Sequence, residues 1–319
     1  MMGALFLSES DVERLVNMEL AIEAESAVFR RRAEPDINNI PRGRARTEKC
    51  MLHVMGAASN SMGVACSKIY TSSRGSLSFL VLLHDGGTGE LLAVLEGNRL
   101  GAVRTGAVSA VATDLMARPD SNTVGIFGSG RQARTQLEAV CFVRDIVEAY
   151  VYSPNSLRRT QFAEEMSSLL GIDVVPVAKP ELAAEDKDIV ITATTSATPV
   201  LKAEWISEGT HLNAVGSNFL AKAELDTETI RQCKPIVVDD KEQSKIEAGD
   251  FTRPLEEGVI TWQDIHELSS IVHQRLPGRT HADDITLFKS VGAAFEDLAI
   301  AKAAYELALR EGVGNRLPF

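Results

Sequence analysis

Hydrophobic positions near the N-terminus change from a helical spacing to the alternation that is typical of strands. A capping-box sequence, Ser10-x-x-Glu13, precedes apolar residues at helical intervals, namely Leu15, Met18, Ile22 and Val28. Strand patterns begin after Pro41 and cover Met51–Met55, Gly63–Tyr70, Leu77–His84 and Leu91–Leu95. The turn sequence Asp85-Gly-Gly-Thr-Gly89 predicts a hairpin between the last two strands. An antiparallel or mixed sheet with two helices, an α+β unit, is therefore expected here.

The central part of the chain alternates short apolar runs with helical stretches. A helix is predicted from Asn98 to about Met116, and the breaker cluster Arg118-Pro119-Asp120 then marks a domain boundary. The strands expected beyond it are Thr123–Phe127, Ala149–Tyr152, Asp188–Ala193, His211–Val215 and Ile236–Val238. This alternation implies right-handed crossovers and a parallel sheet. From Ile285 onward, a strand and a long helix through Ala293 to Leu309 are expected.

One turn in this region has the pattern of a dinucleotide cradle. The strand Val124–Phe127 runs into Gly-x-Gly-x-x-Ala, in which Gly128 allows a tight turn and Gly130 lets the backbone approach a pyrophosphate. Ala133 is small enough for the following helix to pack on its strand. We therefore predict an α/β protein: a doubly wound parallel sheet of Rossmann type over residues 118–292, and a second, α+β domain made of residues 1–117 with 293–319.

The position that reads the ribose leaves the choice of cofactor open. The second strand ends in Tyr152-Ser153-Pro154-Asn155, which has no Asp or Glu to bind a ribose 2′-hydroxyl. Ser153, Asn155 and Arg158 could accommodate a 2′-phosphate, although none offers a guanidinium in a fixed position. NADH and NADPH therefore both remain candidates.

Composition excludes several classes of protein. The 319 residues are 45% hydrophobic and 24% charged, as in a soluble protein with two cores, and the net charge of −11 disfavours nucleic acid as a partner. The four cysteines are scattered without metal or disulfide spacing, which fits a reducing cytoplasm, and the six histidines also lack metal-site spacing. Neither a membrane segment nor a metal site is predicted.

Several cations could bind an anionic ligand. Lys68 lies on a strand with apolar neighbours and could face a cleft, or it could be an ordinary lysine facing solvent. Arg104 lies among small residues that would let a carboxylate come close, or on the surface of a helix. Arg42, Arg44 and Arg46 form a basic cluster that either holds an anionic substrate or is a solvated loop.

Two polar segments follow predicted parallel strands. They are Thr192-Ala-Thr-Thr-Ser196 and Asn213-Ala-Val-Gly-Ser-Asn218. Loops at the carboxyl ends of such strands border the ligand crevice of open α/β sheets. The alternative is that both are surface loops rich in small polar residues.

Taken in order, the motifs resemble those of the ornithine cyclodeaminase and mu-crystallin family of NAD(P)-dependent enzymes over nearly the whole chain. They are Leu52-His-Val-Met55, Ser67-Lys68, Gly89-Glu-Leu-Leu-Ala93, Arg104-Thr105 with Ala107-Val-Ser-Ala110, Gly128-Ser-Gly-Arg-Gln132, His211-Leu-Asn-Ala-Val-Gly216, and Phe288-Lys-Ser-Val-Gly292 with Glu296-Asp297. The family includes cyclodeaminases, an archaeal-type alanine dehydrogenase and reductases of cyclic ketimines. Its members transfer a hydride between nicotinamide and the α-carbon of an amino or imino acid.

The resemblance implies roles for individual residues. Lys68 and Arg104 match positions that hold the substrate carboxylate and line the reacting centre, helped by Arg42 or Arg44. Positions that contact the cofactor are matched by Thr105, Gly128, Ser129, Gly130, Arg131, Gln132, Ser153, Thr194 and Val215, and Val291 matches a residue near the nicotinamide. The domain that contains Lys68 would also form a homodimer, with the strands around Leu77–Leu83 and Leu91–Leu95 either at the interface or inside the sheet.

Two departures from the family pattern narrow the expected reaction. Asn218 stands where cyclodeaminases have an aspartate that acts on the amine, and an amide cannot carry protons as a carboxylate does. His53 stands where ornithine cyclodeaminase has a glutamate for the distal ammonium of its substrate. We therefore expect an NAD(P)H-dependent reductase of an α-imino acid, ketimine or iminosuccinate-like, reversible as an amino-acid dehydrogenase. The alternatives are a cyclodeaminase and a cofactor-binding protein without catalysis, of the mu-crystallin type.

Overall fold

The structure, a computed structural model, describes residues 3–32, 35–73 and 76–318, without the side chains of residues 76 and 77. The chain divides into two units, the first made of Met1–Arg104 with Ala293–Phe319 and the second of Thr105–Gly292. Among the described residues, no helix is long and apolar enough to cross a membrane.

The first unit starts with a short strand and two helices and continues with five strands. The elements up to the connecting helix are β1 (Leu5–Leu7), α1 (Glu9–Leu15), α2 (Met18–Arg32), β2 (Ile37–Arg46), β3 (Cys50–Ser59), β4 (Val64–Ser73), β5 (Ser76–Asp85), β6 (Leu91–Glu96) and α3 (Asn98–Met116). The predicted hairpin is confirmed, because β5 and β6 pair antiparallel on either side of Asp85–Gly89.

The second unit alternates strands and helices. Its elements are β7 (Thr123–Phe127), α4 (Arg131–Val143), β8 (Glu148–Tyr152), α5 (Ser156–Leu170), β9 (Asp173–Pro176), β10 (Ile189–Thr192), β11 (His211–Ala214), α6 (Thr227–Gln232), β12 (Cys233–Val238), α7 (Lys241–Glu247), α8 (Thr252–Glu256), β13 (Ile265–Glu267), α9 (Leu268–Val272) and β14 (Ile285–Lys289). The chain then returns to the first unit through α10 (Ala294–Glu311) and β15 (Asn315–Arg316).

The sheet of the first unit has seven strands in the order β15-β1-β6-β5-β4-β3-β2. The pair β1 and β6 is parallel and the other pairs are antiparallel, which confirms the expected mixed sheet. Helix α10 packs across β2 to β5 and against α2. The C-terminal helix therefore completes a core that the N-terminal strands begin.

The start of α1 differs from the sequence prediction. The N-cap is Ser8 rather than Ser10: the Ser8 side chain accepts a hydrogen bond from the Asp11 backbone, and the Asp11 carboxylate accepts one from the Ser8 N–H. Ser10 lies inside the first turn, so its hydroxyl cannot cap the helix. Both serines have an acidic residue three positions further on, which can accept a hydrogen bond from the N-cap backbone. The sequence pattern alone therefore does not distinguish Ser8 from Ser10.

The arginines of the basic cluster lie on a strand, so the loop, one of the two alternatives, is wrong. Residues 42, 44 and 46 belong to β2, which pairs with β3 and is an edge strand. The pairing register shifts between Ile40 and Gly43, around Pro41. Proline cannot donate to a ladder and is tolerated at such an edge irregularity, which hid this strand in the sequence. Gly63, predicted as the first residue of β4, instead lies in the preceding turn with φ +66°.

The eight strands of the second unit are all parallel, in the order β13-β12-β14-β11-β10-β7-β8-β9. The order reverses at β7, with β8 and β9 on one side and β10 and β11 on the other, which confirms the doubly wound fold. One face of the sheet buries Val190 and Leu212, and the other buries Ile126 and Val151. Burial on both faces explains the nearly continuous apolar runs in these strands.

Candidate active site

The turn after β7 has the geometry that a dinucleotide requires. Gly128 has φ +113°, and a Cβ there would lie 2.4 Å from the Ala193 carbonyl oxygen, so only glycine fits. Gly130 is the N-cap of α4 and forms no side-chain cap bond, while a Cβ on it would have nothing within 4 Å. The start of α4 therefore has room for an anion such as a pyrophosphate, the kind of ligand that binds at a helix N-terminus.

The other residues that the resemblance assigned to the cofactor lie at the same edge of this sheet. Ser153 follows β8, Thr194 follows β10, Val215 follows β11 and Val291 follows β14. All four strands are parallel to β7, so their carboxyl ends meet at one edge. Arg131 is exposed, whereas Ser129 and Gln132 are half-buried, and the buried Thr105 carbonyl accepts a hydrogen bond from the Gln136 side chain at 3.0 Å.

The residues at the expected ribose position, after β8, already form hydrogen bonds within the protein. Asn155 caps α5, and its Oδ1 accepts the Arg158 N–H at 2.9 Å. The Ser153 carbonyl oxygen accepts a bond from Arg159 Nη1 at 2.9 Å. No acidic side chain follows β8 at this position, and the residues present fit either NADH or NADPH.

In the first unit, Lys68 and Arg104 are brought together by two acidic residues of α10. Lys68 Nζ lies 2.7 Å from Asp297 Oδ1, Arg104 Nε lies 3.2 Å from the same oxygen, and Arg104 Nη1 lies 2.6 Å from Glu296 Oε2. All four side chains are buried. The alternatives of a solvent-facing lysine and a surface arginine are therefore wrong. Gly101 leaves room beside the ammonium, since a Cβ there would lie 3.2 Å from Lys68 Nζ.

Burial and charge tune the two ends of the Lys68–Asp297 pair differently. Burial is the largest influence on Lys68 and lowers its pKa to about 8, helped by the Arg104 charge and opposed by Asp297. Burial alone would raise the pKa of Asp297, but the charges of Lys68 and Arg104 outweigh it and hold that pKa below its usual value. The pair is thus an ionised carboxylate beside an ammonium that gives up its proton more easily than a free lysine.

A row of rings crosses the same face of the sheet. His53 stacks on Tyr70 with ring centroids 4.1 Å apart, and Tyr70 stacks on Phe79 at 4.7 Å. Arg44 lies opposite His53 in the β2–β3 register. Ring nitrogen Nε2 of His53 is 3.0 Å from the Ser72 hydroxyl. Stacking of this kind orients a flat ligand or fixes the wall of a pocket.

His53 does not supply positive charge to this wall. Burial, together with the charges of Arg44 and Arg42, lowers the pKa of His53 to about 4. The imidazole is therefore neutral near pH 7, and the cations beside it are arginines. Arg42 is itself buried, and its charge adds to the lowering of the pKa of Lys68.

Sequence reasoning missed the acidic residues that organise both units. Glu296 and Asp297 were noticed only as a motif, although they neutralise the cations of the site. In the second unit, the buried Asp239 carboxylate accepts bonds from Ser290 Oγ at 2.8 Å, Val291 N at 2.8 Å and Gly292 N at 2.6 Å, and so fixes the loop that carries Val291. An acid directly after the apolar strand β12 is the signal that could have identified Asp239.

Two further features bear on the chemistry. Asn218 is half-buried in the loop that follows β11, after the buried Ser217. Across the described ranges, no group of three or more His, Cys, Asp or Glu side chains is arranged to hold a metal ion. The four cysteines are free thiols.

The profile of the Ornithine cyclodeaminase/mu-crystallin family matches residues 2–312. The chain belongs to this family. Among its family relatives, the Delta(1)-pyrroline-2-carboxylate reductase of Bacillus cereus is 33% identical over 325 residues, 99% of this chain and 100% of the relative.

Two solved structures of the family superpose closely on this member. One is Thermococcus litoralis Delta(1)-pyrroline-2-carboxylate reductase in complex with NADH and L-proline, which is 42% identical with a TM-score of 0.94 and covers 98% of this chain and 100% of its own. The other is an archaeal alanine dehydrogenase dimer with bound NAD, 35% identical with a TM-score of 0.94, and the match spans 100% of both chains.

Proposed function

We propose that this family member is an NAD(P)H-dependent reductase of α-imino acids, with the cyclic imine pyrroline-2-carboxylate as its leading substrate and proline as the product. The observation that carries the proposal is the buried cluster in which Lys68 contacts Asp297 and Arg104 contacts both acids. The similarity to two pyrroline-2-carboxylate reductases over the full chain supports the choice of substrate.

The residues of the first unit bind the substrate and manage its proton. Arg104 is held in place by two carboxylates and, with the buried Arg42, attracts the substrate carboxylate. Lys68 donates a proton to the imine nitrogen as the electron pair of the C=N bond moves onto that nitrogen, and solvent returns the proton. When bound, the nicotinamide cofactor supplies the hydride that the imine carbon accepts.

The same residues disfavour a cyclodeaminase. That reaction requires a group that accepts and returns protons at the amine, and the side chain at position 218 is an amide. A diamino acid also needs an anion for its distal ammonium, whereas the side chain at position 53 is a neutral imidazole beside arginines. We therefore expect no release of ammonia from ornithine.

A second candidate is the amino-acid dehydrogenase direction with alanine. It is favoured by the similarity to the archaeal alanine dehydrogenase, which matches this chain over its full length. The chemistry uses the same groups, because the imine of pyruvate and ammonia also carries its C=N bond beside a carboxylate. The two candidates differ in the size of the substrate that fits beside the His53–Tyr70 stack.

The test is a comparison of substrates with the purified full-length protein. Pyrroline-2-carboxylate, piperideine-2-carboxylate, iminosuccinate, and pyruvate with ammonia are each mixed with NADH or NADPH, and nicotinamide absorbance is followed. We expect the fastest oxidation with a cyclic imine. Faster turnover of pyruvate with ammonia would favour the second candidate, and oxidation with none of them would overturn the proposal.

Lys68→Met gives a specific prediction for this reaction. The variant should lose roughly 100- to 10,000-fold in kcat, because the proton donor at the imine nitrogen is gone. In the unaltered protein kcat/KM should fall as pH rises through about 8, where Lys68 loses its proton, and this limb should disappear in the variant. Lys245→Met, which alters an exposed lysine paired with Glu242, is the control and should behave as the unaltered protein does.

We also propose that two copies of the chain pair through one face of the first sheet, here called the open face. A row of apolar residues crosses it, Val54, Ile69 and Leu80, which are direct neighbours in the register of three strands. Val54 is 42% and Leu80 38% exposed, while α10 packs on the side that buries Cys66 and Lys68. A contiguous exposed apolar surface of this kind is typical of a subunit interface.

A further inference from the structure

A fully buried carboxylate joins two loops of the second unit. Glu224 Oε1 accepts hydrogen bonds from the backbone N–H and the hydroxyl of Thr194, both at 2.7 Å. Its Oε2 accepts bonds from Gly216 N at 2.7 Å and from Thr192 Oγ1 at 3.0 Å. The loop after β10 and the loop after β11 are thus tied to a single side chain.

A second buried pair fixes Glu224 in turn. Asp250 Oδ1 accepts the backbone N–H groups of Glu224 at 2.6 Å and of Leu225 at 3.0 Å, and Asp250 Oδ2 lies 2.9 Å from Lys289 Nζ. Lys289 also donates to the Ser217 carbonyl at 2.8 Å. Burial raises the pKa of Glu224, while the nearby Lys289 charge lowers it. Charged groups cost free energy when they are buried, so a network of three of them needs a reason beyond stability.

The position of the network in the sheet suggests that reason. In a doubly wound sheet the dinucleotide lies across the point where the strand order reverses, with one mononucleotide half on each side. The turn after β7 offers its N–H groups to the pyrophosphate, and β8 and β9 lie on the side of the first half. β10, β11 and β14, which Glu224 and Lys289 connect, lie on the side of the second half, the nicotinamide half.

We propose that Glu224 is a positioning residue for the nicotinamide half of the cofactor, which it aligns by setting the distance between the Thr194 and Gly216 loops. This inference rests on the dinucleotide binding of the proposed function, but not on the identity of the imino acid. The two loops and the carboxylate are closely packed, because a Cβ on Gly216 would lie 2.3 Å from Glu224 Oε1 and 2.4 Å from Thr194 N. A small change in the carboxylate therefore moves both loops.

A matched control exists at the opposite edge of the same sheet. Asp188, immediately before β10, accepts the N–H groups of Asn122 at 2.9 Å and Thr123 at 3.0 Å and the Thr123 hydroxyl at 2.9 Å, and it pairs with Arg118. It is thus also a carboxylate with several donors that joins segments of the chain, but it lies at the amino ends of the strands. Loss of this carboxylate should lower stability without disturbing one half of the cofactor.

The experiment compares two ligands on the full-length protein by calorimetric titration. NADH probes both halves of the site, and ADP-ribose, which lacks the nicotinamide, probes the rest. For Glu224→Gln we expect Kd for NADH to rise roughly 10- to 100-fold, because charge-assisted bonds are lost, and Kd for ADP-ribose to change less than about twofold. Thr192→Val removes one of the four hydrogen-bond donors to the Glu224 carboxylate and nearly keeps the shape of the side chain. It should show the same selective rise in Kd for NADH, by a smaller factor, even if Glu224→Gln folds poorly.

The outcomes separate the inference from the proposed function. Asp188→Asn should lower the unfolding temperature and leave the ratio of the two Kd values unchanged. Equal weakening of NADH and ADP-ribose in both Glu224→Gln and Thr192→Val, or no weakening in either, would overturn the positioning role, as would an unaltered protein that binds neither NADH nor NADPH. If the protein binds only NADPH, then NADPH and 2′-phospho-ADP-ribose replace the two ligands. A protein that binds NADH, shows the selective loss and reduces no imino acid would instead refute the proposed function alone.

Discussion

At the scale of single residues, Glu25 is the side chain that least fits its surroundings. It lies on the buried face of α2, where its neighbours at helical spacing are Met18, Ala21, Val28 and Phe29. Glu25 is 0% exposed, and neither of its carboxyl oxygens has a hydrogen-bond partner among the described residues. Burial raises its pKa well above 4.5, and the nearby Glu296 adds to this, against the opposing charge of Arg104.

Glu25→Gln should therefore change how stability depends on pH. A carboxyl group whose pKa is higher in the folded state than in the unfolded state binds more protons when folded, so it makes stability fall as pH rises from about 4.5 toward the folded pKa. The neutral amide removes that slope. We expect the free energy of unfolding of the variant, relative to that of the unaltered protein, to rise by about 1–3 kcal/mol between pH 5 and pH 8.

Urea unfolding at several pH values measures this directly. Glu23→Gln, on the exposed side of the same helix, is the control and should follow the unaltered protein. Parallel curves for Glu25→Gln and the unaltered protein would show that Glu25 has an ordinary pKa.

Residue types and local spacing made Lys68 and Arg104 candidates, each with a solvent-facing position as the alternative, and the family resemblance gave them their expected roles. Their partners could not be found in the same way. Asp297 follows Lys68 by 229 positions in the chain, and nothing local indicates that the first turn of α10 meets β4. The neutral state of His53 likewise depends on its burial in the folded unit and on arginines of another strand.

At the scale of elements, the start of α1 offers a test of the corrected cap. Ser8→Ala removes the side-chain acceptor for the Asp11 N–H and should lower the free energy of unfolding by about 1 kcal/mol. Ser10→Ala, within the first turn, should change it by less than half of that. Urea unfolding of both variants gives the comparison, and an equal loss in the two would argue against Ser8 as the N-cap.

The turn between β7 and α4 separates a requirement of the fold from a requirement of the ligand. Gly130→Ala places a Cβ where nothing lies within 4 Å, so the variant should keep its unfolding temperature and bind NADH more weakly, since the methyl group meets the pyrophosphate. Gly128→Ala should lower the unfolding temperature as well, because of its φ of +113° and the contact with Ala193. Thermal unfolding and NADH titration distinguish the two, and unchanged binding in Gly130→Ala would place the phosphates elsewhere.

Elements were predictable where one face or both faces of a strand carry a regular apolar pattern. β7, β8 and β11 fall close to their predicted bounds for this reason. The short strands β9 and β13 are the two edge strands of their sheet and have too few residues to show a period. β2 was not predicted because its sequence contains a proline and several arginines, which interrupt the apolar alternation typical of a strand.

At the scale of the whole molecule, the open face predicts the oligomeric state. Leu80→Lys places a charge at one end of the apolar row, beside Ile69, and should convert a dimer into a monomer in light scattering coupled to gel filtration. Leu157→Lys replaces a leucine of the second unit that is 65% exposed and should leave the mass unchanged. A mass independent of the Leu80 substitution would exclude this face as the interface.

The doubly wound sheet was predictable as a whole because each of its strand–helix units is continuous in the chain. The first unit was not, because its helix α10 is separated from the strands it covers by the entire second unit. No local pattern in residues 293–319 indicates that they complete the first unit.

This discontinuity has a consequence for synthesis on the ribosome. The strand that carries Lys68 emerges early, whereas α10, with the acids that neutralise Lys68 and Arg104, is translated only after the whole second unit. The inserted unit can reach its native state while the chain is still growing, but the segment before it must wait with uncompensated cations and an uncovered sheet until α10 has emerged. A nascent chain arrested before α10 would thus be a natural client for chaperones.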